Sequence, residues 1–121
     1  MNLENAAAVL RRHVDAFNAR DLDALMAGFT QDARWVTGTS VALGHDELRA
    51  LFGGAMETLL PTLEIRDLLI DGDRVAAQMT ETLTVAGAER VDHIAGFYHL
   101  VNGRIATAKI YRTPRWSTGR E

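Results

Sequence analysis

The sequence predicts an α+β fold in which three N-terminal helices pack on one face of a strongly bent, mostly antiparallel sheet. Three observations carry that expectation. Apolar residues recur at three- and four-residue steps before Pro61 and at every second residue after it. The later runs are joined by the turns Asp71-Gly72-Asp73, Ala86-Gly87 and Asn102-Gly103, short enough to force antiparallel neighbours. At 121 residues the chain makes one domain, 1–121, large enough for a sizeable core.

The elements follow in order. Between Asn5 and Ala19 the stripe Ala6, Val9, Leu10, Val14 and Phe17 is helical. Asp21 is placed to N-cap a short second helix, Leu22 to Phe29. Gln31-Asp32 reads as a turn, Ala33 to Thr37 as a short strand with Trp35 and Thr37 on one face, and residues 38–44 as a loop. A third helix runs from Asp46 to Leu60 on Leu48, Leu51, Phe52, Met56 and Leu59, with a place for a kink at Gly53-Gly54, and Pro61 ends it. Four strands complete the chain: Thr62 to Ile70, Arg74 to Val85, Glu89 to Val101 and Arg104 to Arg112. Residues 114–121 read as a flexible tail.

Composition narrows the function. A net charge of −3 supplies no basic field for nucleic acid. The absence of cysteine removes disulfides, thiolate nucleophiles and cysteine-held metals. Four scattered histidines, His13, His45, His93 and His99, have no short ligand spacing, so neither a metal nor another cofactor is expected. No apolar run approaches membrane-spanning length and no signal segment is evident, which predicts a cytoplasmic protein without a membrane partner.

Strand parity decides which side chains share a space. On the third of the four strands one face carries Asp92, Ile94, Gly96, Tyr98 and Leu100, and the other Val91, His93, Ala95, Phe97 and His99. Both faces are substantially apolar, so the face away from the helices is expected to pack on a second copy of the chain through Val91, His93, Phe97 and His99. On the preceding strand Gln78, Thr80, Thr82 and Thr84 are all polar, which turns Ala77, Met79, Glu81 and Leu83 toward the helices. An inward carboxylate must be paired or protonated, and Glu81 and Asp92 with Arg112 nearby meet that demand with groups used in acid-base chemistry. The plainer alternative leaves both carboxylates near strand ends, reaching water. His13, on the edge of the first helical stripe, is either a packing residue or a partner acid.

Several strings resemble the nuclear transport factor 2-like superfamily, in particular its SnoaL-like branch. They are Phe17-Asn18-Ala19-Arg20-Asp21-Leu22-Asp23-Ala24-Leu25, Phe29-Thr30-Gln31-Asp32-Ala33 before Trp35, Gly44-His45-Asp46-Glu47-Leu48, and Asn102-Gly103-Arg104-Ile105. The resemblance implies a cone-like α+β barrel, an apolar cavity between helices and sheet, and a homodimer through the outer sheet face. Its enzymes include polyketide cyclases, steroid isomerases, epoxide hydrolases and dehydratases acting on small apolar substrates, and other members are not known to be enzymes. Carried over residue by residue, His13 falls where the steroid isomerases place a donor tyrosine, and Thr37 where they place the general-base aspartate. Gly96, or Ala95, falls where their protonated aspartate donates. Against the epoxide hydrolases, Trp35 and Thr37 match the tyrosine and asparagine that position water. Ile110 replaces one catalytic aspartate, and Ala77 and Met79 replace the arginine-aspartate pair, with Glu81 one inward step further on. Both machineries are incomplete in this chain.

The expectation is therefore a SnoaL-like protein in which Asp92 or Glu81 exchanges a proton with a small apolar carbonyl or epoxide substrate. His13 would be partner acid or donor and Arg112 would orient the carboxylate, while Trp35, Thr37, Met56, Met79, Tyr98 and Ile110 shape the cavity. The alternative is a module that binds an apolar ligand, or dimerises, without catalysis.

Overall fold

The computed structural model describes residues 5–114, arranged as three helices and one six-stranded sheet. Helix α1 spans Ala6–Asn18 and is capped by the Asn5 side chain, which accepts from Ala8 N at 3.1 Å. It buries Val9, Leu10, His13, Val14 and Phe17. Helix α2, Leu22–Ala27, is capped by Asp21 in the same way and stops at Gly28, two residues before the expected end. Helix α3 spans Gly44–Thr58 and passes unbroken through Gly53-Gly54. It begins two residues earlier than expected, with Glu47 reaching back to accept from Leu43 N at 2.8 Å. It also ends earlier: Leu60 precedes a proline, a position that disfavours helical backbone, and adopts φ +49°.

The strands are β1 (Phe29–Thr37), β2 (Ser40–Leu43), β3 (Thr62–Asp71), β4 (Arg74–Val85), β5 (Ala88–Val101) and β6 (Arg104–Pro114), ordered β2-β1-β6-β5-β4-β3. The last four form the expected antiparallel meander, and β1 adds parallel to β6. Two expectations near the start of the sheet are corrected. Gln31-Asp32 is not a free turn: it lies inside β1, where the pairing to β6 slips between Phe29 and Arg34. Turn-forming residues have produced a bulge instead of a chain reversal. The segment 38–44 is not a loop, because Gly38 at φ +58° closes a two-residue turn that pairs Ser40–Leu43 with β1. Pro114, expected to begin the tail, instead ends β6, and the rest of the expected tail, residues 115–121, lies outside the described residues.

The cone-like architecture holds with the sheet left open, β2 and β3 being its edges. Asn18 protects edge strand β3 by donating to Leu63 O at 2.9 Å and accepting from Leu63 N at 2.8 Å. Parity is as expected on β4 and β5, where Ala77, Met79, Glu81, Leu83, Asp92, Ile94, Tyr98 and Leu100 are buried. On β6 an unpaired Ala106 shifts the register, so that Ile105 is buried along with Ala108 and Ile110. One apolar core fills the cone, built from α1, α3 and the inner sheet face.

Candidate functional site

Inside the cone, between α1, α3 and the inner sheet face, lies a cavity of about 120 Å³. Its wall is mostly apolar and combines a cluster of rings with aliphatic side chains. His13 sits 5.7 Å from Trp35 and 6.2 Å from Tyr98, and Trp35 stands edge-on to Phe52 at 4.9 Å, all between ring centroids. Thr37, Met79, Ile94 and Ile110 complete the sheet side. Of the residues the sequence nominates for the wall, Trp35, Thr37, Met79, Tyr98 and Ile110 line it. Met56 packs against the core instead, and Leu51, Phe52 and Ala55 supply the α3 side.

The polar part is an ion network across three strands. Glu81 on β4 and Asp92 on β5 are directly opposite and both point inward, an arrangement that is repulsive without a cation between them. Arg112 on β6 supplies it, donating through Nη1 to Glu81 Oε1 and, at 3.1 Å, to Asp92 Oδ2. Arg90, two residues before Asp92 and of the same parity, grips Asp92 with a fork: Nε to Oδ1 at 2.9 Å and Nη2 to Oδ2 at 3.0 Å. Burial opposes the charge on Arg112, but Glu81 first and Asp92 second outweigh it and hold the guanidinium above its usual pKa.

These contacts separate the two carboxylates. Asp92 is 0% exposed, accepts three charge-assisted hydrogen bonds and does not line the cavity. Glu81 and Arg112 do line it. The sequence brings the right groups together but does not single out Arg90; the available signal is its shared face with Asp92, two positions away.

At the other polar position, His13 is 7% exposed and its Nδ1 is buried without a hydrogen-bond partner. Desolvation lowers its pKa to about 4, so the ring is neutral at pH 7. Burial likewise raises the Tyr98 phenol above its usual range, which keeps it a hydrogen-bond donor. Because His13 binds its proton less tightly folded than unfolded, its contribution favours the native state above pH 6.5 and is lost as pH falls toward 4. Lowering the pH from 7 to 5 is expected to cost about 2 kcal/mol through this one group. Urea midpoints measured across that range should show the loss in the wild type and not in His13→Gln.

Two of the other histidines make local contacts away from the cavity. His45 donates through Nε2 to Phe29 O at 3.3 Å, and His99 pairs with Asp73 on the outer side at 3.0 Å. Among the described residues, no three His, Asp or Glu side chains converge as metal ligands. No helix among them is long and apolar enough to cross a membrane.

A family profile described as a SnoaL-like domain matches residues 10–108. No curated protein matches the chain. Among solved structures, an NTF2-like protein of unknown function from Burkholderia pseudomallei superposes with a TM-score of 0.81 at 23% identity, over 89% of this chain and 90% of that one. An LEH-like epoxide hydrolase from M. tuberculosis gives 0.81 at 19% identity, over 88% and 81%. A polyketide cyclase, described as putative, from Sinorhizobium meliloti gives 0.76 at 19% identity, over 88% and 99%. At these identities the likeness establishes the fold and leaves the chemistry to the site.

Proposed function

The chain belongs to the SnoaL-like domain family, and from that membership we propose that its cavity performs acid-base chemistry on a small apolar carbonyl or epoxide substrate. The observation that carries this reading is that, among the described residues, one carboxylate, Glu81, is presented to a mostly apolar cavity and held there by Arg112. Glu81 takes a proton from the carbon beside a carbonyl, or from a water that opens an epoxide, and returns it to the product. Arg112 fixes the carboxylate and balances its charge, while Asp92, clamped by Arg90, fixes Arg112. Tyr98 and His13 are neutral groups that hydrogen-bond the substrate oxygen.

Candidate ketones and epoxides can be incubated with the protein in D₂O. Uptake of deuterium beside the carbonyl, or ring opening to a diol, is the expected result, and it should disappear in Glu81→Gln. Binding of those ligands with neither reaction would favour the second reading, a non-catalytic binding module. One observation supports that alternative: Glu81 is already paired with Arg112.

We also propose a homodimer through the outer sheet face. Phe97 and Tyr111 stand there about half exposed, 52% and 50%, with their rings 5.9 Å apart. Leu69 and Ile70 extend the exposed apolar surface beside them, and Val91, His93 and His99 share the Phe97 face of β5. Phe97→Glu is expected to halve the mass in sedimentation equilibrium and to leave the cavity intact. A wild type that sediments as a monomer would rule the dimer out.

A further inference from the structure

Apart from the cavity, a second recess lies where helix α1, the end of helix α2 and the turn between β5 and β6 converge. Its volume is about 490 Å³, within the ~300–1,000 Å³ of pockets that hold small organic ligands. Backbone contacts set its shape: Ile105 N donates to Gly28 O at 2.8 Å and ties the start of β6 to the end of α2. The turn is a tight two-residue reversal, with Asn102 at φ +53° and Gly103 at φ +77°. Arg104 follows it directly, so the same turn fixes its place on the wall of the recess.

The lining divides by chemistry. Arg12 on α1 and Arg104 on β6 supply positive charge, and among the described residues no carboxylate lines the recess to offset it. Val9, Ala24, Leu25 and Ala27 supply an apolar side. The recess also reaches His13, the one described residue that it shares with the cavity. His13 is 7% exposed, and its Nδ1 is buried without a hydrogen-bond partner. A buried polar atom left unpaired is costly, so it points to a group that completes it.

We propose that this recess binds a small organic acid, its carboxylate held by Arg104 and accepting from His13 Nδ1 while its apolar body lies on Val9, Ala24 and Leu25. The site is separate from the cavity and does not depend on the reaction proposed there. A guanidinium presents a planar fork that matches a carboxylate. A neutral imidazole carries one proton, and an acid at Nδ1 fixes it there, so an occupied recess withdraws His13 as a donor to the cavity.

Calorimetric titration with benzoate, benzyl alcohol and inorganic phosphate at neutral pH tests it. The wild type should bind benzoate at least about tenfold tighter than benzyl alcohol, which lacks the charge, and than phosphate, which lacks the apolar body. Arg104 is exposed, so Arg104→Ala and Arg104→Lys should both fold, which thermal melting confirms. Arg104→Ala should weaken benzoate about fivefold or more, and Arg104→Lys should weaken it less, since an ammonium keeps the charge and loses the fork. In nitrogen NMR spectra, benzoate should move the His13 ring signals and the amides of Asn102 and Gly103, and leave His93 and His99 on the outer sheet face unmoved. No binding of benzoate at millimolar concentration would overturn the proposal. So would phosphate binding as tightly as benzoate, Arg104→Ala binding benzoate as the wild type does, or His13 signals that stay in place. None of these readouts needs turnover, so they stand or fall separately from the role of Glu81.

Discussion

Replacing Glu81 by glutamine is expected to lower turnover about 10²–10⁴-fold, the usual contribution of a positioned general acid or base. Glutamine matches glutamate in shape, and its amide oxygen can still accept from Arg112, so the cavity keeps its form. What it cannot do is gain and release a proton. The loss should therefore fall on kcat, with substrate affinity changed by no more than about threefold. Arg112 retains its hydrogen bond to the ionised Asp92 in this variant, which limits the disturbance to one end of the network. If kcat is unchanged and only KM rises, Glu81 binds substrate and the proton passes elsewhere.

Much of this site was legible in the sequence because a strand has only two faces. The uniformly polar set Gln78, Thr80, Thr82 and Thr84 left Glu81 no outward option, and the tight turn at Ala86-Gly87 set β5 directly beside it. That is enough to bring Glu81 and Asp92 together. What parity could not rank was the two carboxylates: both point inward, and their difference lies in which arginine reaches them. Arg90 went unassigned because a charged residue near a strand end is usually solvated, and only the fork to Asp92 reveals its role.

The places where the sequence misled are places where the chain departs from regular periods. Ala106 is an extra residue on β6, so Ile105 and Ala108 are both buried, which no strict two-residue alternation allows. Gln31-Asp32 carries turn chemistry but spends it on a bulge in β1, because the parallel pairing with β6 holds the strand on both sides. Strand β2 is four residues long and announced only by Gly38-Thr39. The size of the cavity was not readable at all. It depends on Tyr98 lying over Gly96, a contact between neighbours on one face that no pattern of apolar residues encodes.

Asp92→Ala is expected to destabilise the fold by about 3 kcal/mol without being a catalytic lesion in itself. Removing one member of a buried ion network costs about 3–5 kcal/mol, because the partner charges lose their compensation. The low end applies here: the Arg90 and Arg112 side chains are 45% and 35% exposed, so water recovers part of what they lose. Asp92 itself is fully buried, so the substitution also leaves a void that the strands cannot collapse into easily. For a domain of this size the loss corresponds to a fall in Tm of roughly 10 °C. Arg90→Ala should cost less, about 1 kcal/mol, since Asp92 keeps Arg112 and the missing guanidinium was half in water. The decisive comparison is between Asp92→Asn and Glu81→Gln, measured at a temperature where both are folded. Asparagine at 92 retains hydrogen bonds but not the charge, so it should lower Tm while keeping turnover within about tenfold of the wild type. Glutamine at 81 should do the reverse. A turnover loss in Asp92→Asn as large as that in Glu81→Gln would place the proton on the pair of carboxylates bridged by Arg112, and not on Glu81 alone.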